Sequence, residues 1–266
     1  MLKLAIHFLL IALLTVLSQI GGIVYLITLI LAKLLCLGRL KATIAFFSLY
    51  LISTFAVVPL IAPIFGRTAL PLAGNLQPLN FVTCLLNRHY VKPNLKEQLI
   101  SISEVMSVKF SGTKTNYLDA NFPFYDGFPL LPHLSHNDGK KVDLAFYYTN
   151  TKTGERANST PSLIGYGIYD SPKNNEINSP EKCVNQGYWQ YGLLTYIVPK
   201  WNSDKFKVDS ERTKELIRLL ATNELTSKIF IEPHLKARWG LSKYNKIRFH
   251  GCQAVRHDDH IHTQIR

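Results

Sequence analysis

The chain ends in "RHDDHIHTQIR", Arg256 to Arg266. Three of its nine histidines, His257, His260 and His262, fall in this stretch, with Asp258 and Asp259 after the first of them. The residues from Ile261 to Ile265 predict a last strand. If that strand begins at His260, the period of two puts His260 and His262 on one face and Ile261 on the other. Two imidazoles side by side suit a metal site, one to bind and one to handle protons. The competing reading is a pair of surface or hydrogen-bonded core histidines, since short histidine pairs also arise by chance.

A second element lies upstream. Ser135 to Leu144 reads "SHNDGKKVDL". His136 leaves a loop, Gly139 permits a turn, and Asp143 begins an apolar strand. An aspartate among Val142, Leu144 and Ala145 is costly to bury alone, and pairing with a cation removes most of that cost. One His and one Asp here, plus one His from the last strand, make three N/O ligands. Three protein ligands with a fourth position open is the pattern of a catalytic zinc site, and no thiolate stands nearby to close it.

H-x6-D followed by a C-terminal H-x-x-H-x-H resembles the LAS metallopeptidases, and the chain is most similar to the penicillin-insensitive murein endopeptidases, zinc enzymes that cleave peptidoglycan. The stretches that carry the resemblance are "SHNDGKKVDL", "KIFIEPHLK" and "RHDDHIHTQIR". It covers the chain from Ser135 to the C-terminus and is patchy between Asn150 and Lys228. It implies that His136, Asp143 and His262 bind Zn²⁺, that His260 is the general base and that His257 assists. The expected partner is then the peptide stems of peptidoglycan. The chain departs from the family pattern in three places. Aromatic "NFPFYDGFPLLPHL" replaces a Ser/Gly-rich segment before the first ligand. The approach to the final histidines, "RFHGCQAVRHDDH", lacks the family's Trp. The apolar N-terminus is not part of the basic pattern.

That N-terminus holds two uncharged runs, Leu4 to Ala32 and Ala42 to Phe65. Each exceeds the ~20 residues that a helix needs to cross a bilayer. They predict a membrane anchor of two transmembrane helices, against the alternative of a buried hydrophobic hairpin. Lys33, Arg39 and Lys41 lie in the short connection, which the positive-inside rule assigns to the cytoplasm. Both chain ends are then expected outside, as in a bacterial inner-membrane protein whose catalytic domain faces the periplasm. The formal net charge is +12. Lys and Arg are scattered from Lys92 to Arg266 with no dense stripe interleaved with aromatics, so a basic surface near anionic lipid or wall polymer explains the charge as well as nucleic acid does. No nucleic-acid partner is expected, because such a binder would not need the histidine and aspartate arrangement. Of the four cysteines, Cys36 falls in the connection and Cys84, Cys183 and Cys252 outside. At most one disulfide can form among those three. Cys183 with Cys252 is one reading and buried free thiols the other.

The soluble part reads as α+β: a small antiparallel sheet with flanking helices carrying the zinc site, because strands and helices do not alternate as βαβ units. The expected domains are a membrane anchor over 1–66, a linker over 67–93 and a metallopeptidase domain over 94–266. A helix is expected over Asn94 to Met106, and a long loop over Gly112 to Asp138. Strands are expected over Val142 to Thr149, Leu163 to Tyr169 and Gly192 to Val198. "DSERTKELIRLLATNE" is a helix capped by Asp209 or Ser210, with Leu216, Ile217, Leu219 and Leu220 on its apolar face. "KIFIEP" is a strand closed by Pro233, followed by a short helix to about Trp239.

Other residues have two readings each. His133 is a partner of the site or a loop histidine; His250 lines the cleft or ends a strand. Arg88 and His89 bind a substrate carboxylate or belong to the linker. Tyr188, Trp189 and Tyr191 form a wall for a peptide or glycan, or pack in the core. Glu232 accepts a hydrogen bond behind the site or lies at the surface. The functions compatible with all this are an endopeptidase acting on peptidoglycan cross-links, a D,D-carboxypeptidase or dipeptidase on the same scaffold, or a non-catalytic wall-binding envelope protein.

Overall fold

The computed structural model describes residues 1–266 and is mixed α and β. The chain divides into two compact units, each assembled from three segments. One holds Met1–Leu70, Phe81–Lys96 and Asp119–Gly139; the other holds Pro71–Asn80, Glu97–Leu118 and Lys140–Arg266.

The first uncharged run is not one helix. It forms Leu2–Ser18 and Gly21–Leu34, of 17 and 14 residues. At 1.5 Å per residue these are roughly 26 and 21 Å long, short of the ~30 Å of a bilayer core. The break is local chemistry. Gln19 has a φ of 66°, the Ser18 hydroxyl accepts a hydrogen bond from the backbone N–H of Gly21, and Gly21 and Gly22 follow. A Cβ on Gly22 would sit 2.6 Å from the Ile11 carbonyl oxygen, and one on Gly21 2.7 Å from that of Leu14. Only glycine allows this approach. The two helices therefore fold back on each other, with His7 Nδ1 2.8 Å from the Tyr25 hydroxyl. The expected pair of long helices gives way to a short hairpin followed by one helix, Arg39–Phe65. At 27 residues this is the one helix long and apolar enough to cross a membrane.

In the same unit, Ile20, Val24, Val58, Ala62 and Tyr90 form a buried cluster. Arg67 is buried, donates to the Asp138 carbonyl at 2.6 Å and pairs with Asp126. This fixes the end of the loop that carries His136. Gly139 has a φ of 75°, and a Cβ there would lie 2.1 Å from Arg67 Nη1. The guanidinium occupies the space that any other side chain would need, so the turn read at Gly139 is also a packing requirement.

The second unit is built on a six-stranded sheet. Its order is Ile247–Arg248, Thr226–Phe230, His260–Ile265, Lys141–Ala145, Thr115–Tyr117, Leu76–Pro78. The central pairings are antiparallel, as expected, but both edge pairings are parallel. The C-terminal strand lies in the interior of this sheet. Ile261, Thr263 and Ile265 on one face are 0–2 % exposed. A three-stranded sheet joins Tyr148–Asn150 to Arg156–Ala157 and Phe206–Val208. The expected strand over 142–149 is thus divided between two sheets.

Helix Pro93–Lys109 matches the expectation for 94–106, and Ser210–Thr222 that for the amphipathic segment. Asp209 caps the latter by accepting from the Arg212 backbone N–H at 3.1 Å, and Leu216, Ile217 and Leu220 are fully buried. Pro233–Arg238 is the short helix after the strand Thr226–Phe230. Two strand expectations fail. Residues 163–169 are turns without a strand, and Leu193–Ile197 is a helix. Gly165 and Gly167, both at positive φ, break the first. The second has too few residues to carry a period that separates helix from strand.

Candidate metal centre

Register creates the site. In the antiparallel pairing of Lys141–Ala145 with His260–Ile265, Asp143 stands opposite His262 and Ala145 opposite His260. Directly opposed residues share a face. Asp143, His260 and His262 therefore project together, while Val142 and Leu144 join Ile261 and Thr263 on the other face. His262 Nδ1 lies 2.9 Å from Asp143 Oδ1, and the Tyr166 hydroxyl donates to Asp143 Oδ2 at 2.9 Å. Phe230, opposed to His262 across its other neighbour strand, packs its ring 5.2 Å from that of His262.

His136 is oriented by its own loop. Its Nδ1–H donates to the Ala120 carbonyl at 2.8 Å, which leaves Nε2 as the lone-pair nitrogen. A hydrogen bond from the non-ligating nitrogen to a carbonyl is the usual way that a metal-binding histidine is fixed in tautomer and direction. Beside it, His133 donates to Asp119 Oδ2 at 2.9 Å, and Arg88 pairs with the same carboxylate at 3.0 Å. Burial pushes the Asp119 carboxyl up, but His133 and Arg88 outweigh it and its pKa is lowered. Arg88 is thus held in an ion pair rather than presented to a substrate, and His133 belongs to the surroundings of His136. His89 is buried, and burial with Lys96 nearby lowers its pKa to about 4.

His136, Asp143 and His262 each offer one ligand atom, and these atoms all lie within 4.8 Å of one another. All three residues are buried. Two imidazoles and a carboxylate in one buried cluster can hold a metal ion. The 2.9 Å between His262 Nδ1 and Asp143 Oδ1 is compatible with two bonds of ~2.0–2.1 Å to one ion.

His260 lies against this cluster. Its Nε2 is 3.8 Å from Asp143 Oδ2, and its Nδ1–H donates to Asp259 Oδ1 at 2.5 Å. Asp259 is held in turn by the Gly167 backbone N–H at 2.6 Å. Burial lowers the His260 pKa, but Asp143 and Asp259 together raise it above its ordinary value. His257 is the opposite case. Burial, then His260 and His262, hold it well below the ordinary range, so it is a neutral imidazole. Its ring centroid is 4.8 Å from that of His260 and 5.8 Å from that of His262. His250 stacks on it at 5.8 Å and also meets Phe230.

Of the two readings of Glu232, the acceptor behind the site is the one that holds. Glu232 is buried, not a surface group. Its Oε1 accepts from the Tyr191 hydroxyl at 2.5 Å and from the His257 backbone N–H at 3.3 Å. Burial and Asp258 push its carboxyl up to about 7. Tyr166 and Asp259 carry no signal of their own beyond their polarity beside the histidines. Cys183 and Cys252 form a disulfide, while Cys84, buried, and Cys36, exposed, are not disulfide-bonded. No protein-family model matches the chain, and no curated protein matches it.

Proposed function

We propose that this chain is a membrane-anchored, zinc-dependent peptidase acting on the peptide cross-links of peptidoglycan. The observation that carries the reading is the buried cluster of His136, Asp143 and His262, with His136 fixed through Ala120 and a third imidazole, His260, locked against it by Asp259. The terminal H-x-x-H-x-H and its resemblance to murein endopeptidases supply the substrate class. A zinc ion bound there supplies Lewis acidity, polarising a carbonyl and acidifying a water molecule.

The remaining chemistry falls to the chain's own groups. Asp259 holds the Nδ1–H of His260, so Nε2 is the nitrogen that faces Asp143 and exchanges protons. The elevated pKa of His260 suits a group that takes a proton during attack and delivers it to a leaving amine. His257, neutral and buried, is suited to donate a hydrogen bond to developing negative charge without bringing a cation into the site. The anchor is the helix Arg39–Phe65. Lys33, Arg39 and Lys41 precede or begin it, which places the residues after Phe65 outside the cytoplasm. A disulfide in the second unit suits that compartment.

The test measures zinc and turnover on the same preparations. His136→Ala, Asp143→Ala and His262→Ala are expected to lose the metal. His260→Ala is expected to keep it and lose roughly 10²–10⁴-fold in cleavage of cross-linked muropeptides. Stoichiometric zinc in all three ligand variants would refute the site. Release of a terminal D-amino acid without opening of cross-links would make the enzyme a carboxypeptidase.

A further inference from the structure

A second concave surface lies beside the segment that carries the histidines. It is a cavity of about 560 Å³ formed by loops and short helices between Ser171 and Tyr196, with Arg256 on its wall. Its volume is within the ~300–1,000 Å³ of small-ligand sites. We propose that it is a saccharide subsite that stacks the rings of a β-linked N-acetylated sugar strand. The identity of the sugar rests on the peptidoglycan reading above; the stacking chemistry does not.

Two exposed aromatics carry the argument. Trp189 is 69 % and Tyr196 87 % exposed, and both line the cavity. Large aromatic rings left in water within a concavity are not core side chains, and they indicate a binding surface. The apolar face of a pyranose, all C–H bonds, covers such a ring while its equatorial hydroxyls reach outward. Between the rings the cavity offers neutral amide and hydroxyl groups, from Asn185 and Thr195 among others.

The electrostatics favour an uncharged ligand over an anionic one, and the cavity's one carboxylate, Glu181, already accepts from the Asn178 side-chain amide at 2.6 Å. The chain carries a net charge of +12, yet no lysine lines the cavity. Its one arginine, Arg256, is already paired with Asp258, at 2.9 Å through Nε and 2.5 Å through Nη2, and lies 3.8 Å over the Tyr169 ring. A stem peptide, with its carboxylates, would find no uncommitted cation there. Nor do the lining residues belong to any strand, so an extended peptide has no edge to pair with.

The walls are built to hold their shape. Cys183 is tied to Cys252, 69 residues away. Asn178 caps the helix Ser179–Asn185 by accepting from the Glu181 N–H at 3.1 Å. Tyr191, two residues beyond Trp189, is anchored on buried Glu232, and the Asp170 N–H donates to the Asp258 carbonyl at 2.7 Å. The last of these ties the residue before Ser171, which lines the cavity, to the residue that follows His257. A sugar strand seated here lies next to the proposed catalytic segment.

The test is calorimetric titration of the full chain in detergent with chitopentaose, a β-1,4-linked N-acetylglucosamine oligomer. Saturable binding is expected. Trp189→Ala and Tyr196→Ala should each weaken it by about tenfold or more with an unchanged melting curve, since neither ring is buried. His262→Ala should bind chitopentaose as the parent does even though it no longer cleaves. If the parent binds chitopentaose but cleaves no muropeptide, the enzymatic reading fails and the subsite stands. Absence of saturable binding, or binding indifferent to both aromatic substitutions, overturns the proposal. So does binding of a glycan-free cross-linked peptide that both aromatic substitutions abolish.

Discussion

Glu232→Gln tests whether the carboxyl behind His257 is buried as a neutral acid. Glu232 is 0 % exposed, and its pKa is raised from 4.5 to about 7 by burial and by Asp258. Between those two values the folded chain retains a proton that the unfolded chain has released. Stability therefore falls as pH rises through the window, and the contribution is spent above about pH 7. A shift of about 2.5 units at 1.36 kcal/mol each makes the loss about 3 kcal/mol. Gln resembles the protonated acid, still accepts from the Tyr191 hydroxyl and has no proton to lose. The assay is a series of thermal melts of the full chain and the variant from pH 4.5 to 8. Subtracting the variant cancels every titration that the two share. The difference is expected to move against the parent by roughly 6–12 °C between pH 4.5 and 7, then stay level. Parallel curves, or a parent that gains on the variant as pH rises, would refute the reasoning.

Asp259→Asn should leave metal content unchanged and slow muropeptide cleavage by roughly 10²–10⁴-fold, because the amide no longer fixes which nitrogen of His260 carries the proton; metal loss in this variant would assign Asp259 to the metal instead. Cys183→Ser removes a crosslink closing 69 residues, worth about 4 kcal/mol on loop-closure grounds, so melts of parent and variant should differ without reductant and converge with it. The folded-back hairpin Leu2–Ser18 and Gly21–Leu34 returns the chain to its starting side, which changes the expected position of Met1. A reporter active only outside the cytoplasm should be silent at Met1 and near Leu37 and active after Arg266; activity at Met1 would restore a single crossing by the first run.

The sequence by itself determined what depends on neighbours along the chain. The period of two placed His260 and His262 on one face of the final strand. The capping at Asp209 or Ser210 and the apolar face of the helix that follows were equally legible, and so was the uncharged run Ala42 to Phe65. Each of these follows from backbone geometry repeated over a few residues. The break at Gln19 was also local, written in "SQIGG", but apolar length masked it. Only the tertiary structure decided the rest, because contact and desolvation depend on residues far apart. Register set Asp143 opposite His262, 119 residues away; a shift of one residue would have turned one of them to the other face. The Ala120 carbonyl chose the tautomer of His136, and Tyr166 came to Asp143 from a segment that resembled a strand. Glu232 resembled a strand-end surface acid until Tyr191 and the His257 backbone closed over it and removed the water that would have kept it charged.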